Sequence, residues 1–117
     1  MAHIEIAGGT LTIHMQGIDR VLALKSSVSV PLEHVVDAEQ DVAEASRIYH
    51  GLRLPGSSIP GVVTAGSYLQ HGEWSFWDVH DPKKAIVIHT RDEHYRELVV
   101  GVDDPDAAVT QIRQALA

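Results

Sequence analysis

Eight histidines in 117 residues raise the question of metal chemistry, since imidazole readily binds transition metals. In "EWSFWDVHDPKKAIVIHT", Asp78 and His80 share one face of an extended strand, and a hairpin would bring His89 onto that face from the neighbouring strand. A metal-dependent enzyme using Asp78, His80 and His89 is therefore one reading. The set lacks a compact His-Glu-x-x-His motif, however, and three groups on an open sheet face exclude water poorly. Scattered surface histidines explain the pattern more simply, so no metal and no other cofactor is expected.

Other candidates for catalysis are weaker. Ser57 and Ser58 lie between Pro55-Gly56 and Pro60-Gly61, outside any Gly-x-Ser-x-Gly elbow and with no base assignable by spacing. The same stretch lacks the Gly-Lys-Ser/Thr ending of a phosphate loop. Cysteine is absent, which removes thiol catalysis, thiolate metal sites and disulfides, and fits a reducing cytoplasm. The expectation is a protein without enzymatic activity.

Recognition is the better use of these residues. Two Pro-Gly turns would hold Ser57 and Ser58 on a rigid span that meets a partner at little ordering cost. Trp74 and Phe76 alternate away from Trp77 and Val79. If Trp77 fills the core, they are either covered by the terminal helix or a loop, or they form an exposed aromatic patch. Arg53, Ser57, Ser58, Trp74 and Phe76 are thus the candidate interaction surface. The basic groupings, Lys83-Lys84 and Arg47 with Arg53, read otherwise as solvated charges.

Composition narrows the partners. Hydrophobic residues at 44% and charged residues at 21% are those of an ordinary globular chain, and 117 residues suit a single domain spanning the whole sequence. Nine Lys plus Arg against sixteen Asp plus Glu give a net charge of -7, which repels nucleic acid and acidic membrane surfaces. The opening "MAHIEIAGGT" carries no signal-like pattern and the apolar runs are too short to span a bilayer, so a cytoplasmic chain without a transmembrane segment is expected.

The elements that would position these residues are mostly strands. Ile4, Ile6, Leu11, Ile13 and Met15 alternate about a Gly8-Gly9 turn, predicting a hairpin. Extended runs follow at Val28–Val30 and Val35–Ala38 around a pairing-breaking proline, then at Val62–Tyr68 and Glu73–His80 about Gly72. "DPKK" then predicts a hairpin to Ala85–Thr90, pairing Val79 with Ile86 and Trp77 with Ile88. Leu98, Val100 and Val102 mark a last strand. Helical spacing suggests short helices in "GIDRVLALKSS" and "DVAEASRIYHGL". Asp104-Pro105-Asp106 marks a terminal helix with a stripe of Ala108, Val109, Ile112, Ala115 and Leu116.

The bent "VPLEHVVDAE", the "LPGSSIPGV" loop, the "EWSFWDVHDPKKAIVI" segment and the closing "LVVGVDDPDAAVTQIRQAL" together resemble small actinobacterial proteins of the bacterial pleckstrin-homology-like (PH-like) class. The resemblance covers most of the chain. It implies a mainly β (α+β) fold, a partly open antiparallel barrel of about seven strands closed by a C-terminal helix. It implies no established chemistry. Eukaryotic members of the wider fold hold phosphoinositides with basic residues near the first hairpin loop; Ala7-Gly8-Gly9 supplies none, so phosphoinositide binding is not expected. The leading expectation is a noncatalytic binding or scaffolding domain that contacts protein, including a second copy of itself, through a sheet edge, the aromatic face or the Pro-Gly loop. The alternative is a small-molecule or lipid binder using the barrel mouth.

Overall fold

The computed structural model describes residues 2–17, 26–41, 52–53, 57–59, 63–70 and 72–117. The short helices expected around 18–25 and 42–51, and the turns at Pro55-Gly56 and Pro60-Gly61, lie outside these residues.

The N-terminal alternation forms the expected hairpin of β1 (His3–Ala7) and β2 (Thr10–His14), with Ile4 opposite Ile13 and Ile6 opposite Leu11. Gly8 and Gly9 turn it with φ of 59° and 75°, the left-handed pair that a two-residue hairpin of matching twist requires. A Cβ at Gly9 would meet nothing within 4 Å. Gly9→Val should therefore act through backbone strain alone, lowering stability by about 1–2 kcal/mol, while Gly9→Asn costs much less. Urea midpoints of the two variants check this.

β3 (Ser27–Pro31) adds to β2 and completes a three-stranded sheet in the order β1-β2-β3. Ile4, Leu11, Ile13, Val28 and Val30 are all buried on its inner face. Pro31 does not interrupt the pairing as expected; it is the last paired residue, opposite Thr10, and the bend follows it as a 3-10 turn over Leu32–His34. A proline whose φ of -58° suits both the strand end and the turn entry makes this possible.

The turn delivers the chain to a second sheet. It contains β4 (Val35–Glu39), β5 (Leu52–Arg53), β6 (Ser57–Ile59), β7 (Val63–Gln70), β8 (Glu73–Val79), β9 (Ala85–Thr90) and β10 (Tyr95–Gly101). The order is β4-β9-β10-β8-β7-β5, with β6 also on β7. The expected β8–β9 hairpin is not formed. β10 lies between the two strands, parallel to β8 and antiparallel to β9, so Trp77 faces Val99 and Ile88 faces Leu98. The cause is the run Leu98-Val99-Val100, which is apolar on both faces and is completely buried only at a sheet centre. The Asp81–Lys84 link, partly a 3-10 turn, crosses the two strand spacings of roughly 10 Å that this requires.

Registered rows then cross the sheet. Ser67, Phe76, Leu98, Ile88 and Ala38 align on one face, and Gly66, Trp77, Val99 and Val87 on the other. The first face joins the inner face of the three-stranded sheet in the main core; on the second, Tyr68, Trp77, Val79, Ala85, Val87 and Val99 form a separate buried cluster.

α1 (Pro105–Leu116) closes the main core. Asp104 Oδ1 accepts from the Ala107 N–H at 3.1 Å and Pro105 opens the first turn, as its sequence dictates. Ala108, Val109 and Ile112 are buried and Leu116 packs on the core margin, but Ala115 of the expected stripe is exposed. Arg113 donates to Asp37 Oδ1 at 3.1 Å and ties the helix to β4. That hydrogen bond, followed by one from the Ala38 N–H, lowers the Asp37 pKa below its ordinary 3.8. A carboxyl more acidic folded than unfolded stabilises above its unfolded pKa and loses that contribution as pH falls through the folded value. Asp37→Asn should thus lower stability at neutral pH, read from urea denaturation, by no more than about 0.5 kcal/mol because half of the side chain is solvent-screened. The gap to the parent should close in acid, below about pH 4.

Among the described residues the strands form two sheets that do not close into one barrel, and the β8–β10 pair is parallel. Among the described residues the chain is mainly β with a C-terminal helix. The insertion of β10 beside β8 makes the larger sheet mixed rather than antiparallel throughout.

Candidate binding groove

The residues singled out for chemistry are not brought together. Asp78 is fully buried on the Phe76 face, aligned with Val100 and Ile86. His89 lies on the Val87 face, opposite Glu97 and Asp37, with Nε2 2.9 Å from Glu39 Oε1. Insertion of β10 separates Asp78 from His89 and reverses their relation, so the shared face expected for them does not exist. His80 is exposed beyond the end of β8. Among the described residues no group of three His, Cys, Asp or Glu side chains could hold a metal ion.

The proposed recognition residues also separate. Phe76 is completely buried, its ring 5.5 Å from that of Tyr95, and so is core rather than surface. Trp74 is half-buried beneath His94, whose ring stacks on it at 5.5 Å and 24°. The cover comes from the β9–β10 turn, which neither the helix nor the Pro-Gly stretch had to supply. Arg53 lies in β5 opposite Tyr68, and Ser57 and Ser58 lie in β6 opposite Ala65 and Thr64, so the serines are strand positions rather than a free loop.

Among the described residues an open site lies elsewhere, between β3 and the tip of the β9–β10 hairpin. It is a groove of about 280 Å³ bounded by Ser27–Val30 on one side and by Glu93, His94 and Tyr95 on the other. Among the described residues β3 pairs only with β2. Its other side therefore turns alternate backbone N–H and C=O groups toward the groove.

The opposite wall is held firmly. Arg91 donates through Nε and Nη2 to the Glu33 carbonyl at 3.2 and 3.0 Å, and its N–H donates to the His34 carbonyl at 2.9 Å. His34 Nδ1 meets Glu93 Oε2 at 2.8 Å. Thr90 Oγ1 donates to the carbonyls of Tyr95 and, at 3.2 Å, Arg96; Asp92 takes the left-handed turn position with φ of 56°. The Tyr95 hydroxyl reaches Ser67 Oγ at 2.7 Å, and its ring meets that of His94 edge-on at 4.8 Å. Sequence reasoning missed this wall. Its signal was "RDEHY", a concentrated polar stretch at the point where two strongly apolar strands reverse.

The groove's described lining combines one edge of β3, from Ser27 to Val30, with Glu93, His94 and Tyr95. Among its described lining residues there is no lysine or arginine. Fold and site together define a mainly β, two-sheet chain packed against a C-terminal helix, with a groove beside a strand that among the described residues pairs on one side only. No protein-family model matches the chain, and no curated protein or solved structure matches it. No helix among the described residues is long and apolar enough to cross a membrane.

Proposed function

We propose that this is a noncatalytic protein-binding domain, a PH-like variant of the cytoplasm, that takes an extended segment of a partner onto the outer edge of β3. One observation carries the reading: β3 has a described neighbour on one side and the groove on the other. Main-chain hydrogen bonds from such an edge supply affinity, and pockets for alternate side chains supply selection. The Arg91 and Glu93 contacts fix the second wall in advance, which reduces the ordering cost of binding. Burial of Phe76 and the covering of Trp74 weigh against the aromatic face as the contact surface. The small, open shape of the groove weighs against an enclosed small-molecule or lipid site.

The test uses a short host peptide of alternating valine and threonine, with and without N-methylation of the backbone amides on one edge. Addition to β3 predicts chemical-shift changes and slowed amide exchange confined to Ser27–Val30 and Glu93–Tyr95, lost with the N-methylated peptide. Changes centred elsewhere, or indifferent to methylation, overturn the reading.

A further inference from the structure

The geometry points to a lysine- or arginine-bearing segment as the occupant of the groove, its cation held by Glu93 and lying against the Tyr95 and His94 rings; this rests on the strand-addition reading above. Glu93 is the acidic residue among the described residues of the lining, and no basic residue accompanies it among them. Its carboxylate is positioned rather than satisfied. Oε2 meets His34, whereas a carboxylate offers about four acceptor sites over its two oxygens. At about a quarter exposed, it is shielded from water more than a surface carboxylate but remains within a ligand's reach.

The rings beside it complete the case. Tyr95 is half-buried and anchored by Ser67, so one aromatic wall is fixed, and His94 is braced between Trp74 and Tyr95. A cation over a fixed phenol ring gains from its quadrupole. The chain's net charge of -7 draws a basic segment toward the site and repels a second copy of the same chain. An acidic segment would place like charges together at Glu93.

Three forms of the valine-threonine host peptide, with lysine, glutamine or glutamate at the central position, test the inference by titration calorimetry and amide shifts. Lysine should bind about five- to tenfold more tightly than glutamine, and glutamate more weakly than both. In Glu93→Gln, which preserves a hydrogen-bonding group beside His34, the three affinities should converge. A circular-dichroism melt matching the parent establishes that this variant is folded; Glu93→Asp, which keeps the charge, should retain the lysine preference. Equal binding of the three peptides at β3 overturns the charge selection and leaves strand addition standing. Absence of any change at β3 with all three overturns both.

Discussion

Ile112→Asp is expected to abolish cooperative folding or to lower stability by about 4 kcal/mol or more. Ile112 is completely buried in the main core, on the α1 face that meets β4 and β9. A carboxylate there has lost its water and gained no opposing charge, and a domain of this size holds only about 5–15 kcal/mol in reserve. Ala115→Asp is the control, because Ala115 is exposed on the same helix and should shift stability, read from urea denaturation, by less than about 0.5 kcal/mol. The contrast between two aspartates three positions apart tests the docking face itself. Equal effects would mean that α1 packs by another stripe.

The second large effect falls on Phe76. Truncating Phe76→Ala removes a ring that touches solvent nowhere and aligns with Leu98, Ile88 and Ala38 across four strands. The neighbours are central strands braced on both sides, so the cavity cannot collapse, and the expected loss is about 3–5 kcal/mol by urea denaturation. Trp74→Ala should cost clearly less, since that ring is half-buried and rests mainly on His94. If Phe76→Ala left stability unchanged and removed peptide binding instead, the aromatic face rather than the β3 edge would be the contact surface.

Individual residues show where sequence reading succeeded. Gly8-Gly9 and the alternation around it are local: the turn needs positive φ and the strands need period two, so β1 and β2 follow from neighbours alone. Asp104-Pro105 is equally local, as a cap and a fixed φ start a helix wherever it later docks. Burial of Ala108, Val109 and Ile112 follows from helical periodicity, while Ala115 escapes it because it lies at the angular edge of the stripe that Leu116 still continues. The serines between the Pro-Gly pairs read as loop because glycine and proline punctuate the chain, and only pairing with β7 makes them strand.

What sequence determined by itself, then, was a single mainly β chain with a capped terminal helix, an acidic surface and no cysteine chemistry, because these depend on composition and on contacts between near neighbours. Tertiary structure alone decided strand order. The Asp81–Lys84 link is short enough for a hairpin and long enough to skip one strand, so its length is silent about β10; only the gain from burying Val99 and its neighbours on both faces selects the insertion. That choice buried Phe76, put Asp78 and His89 on opposite faces and set "RDEHY" against β3. The groove is made by residues more than sixty positions apart, and no local period carries information about such a meeting.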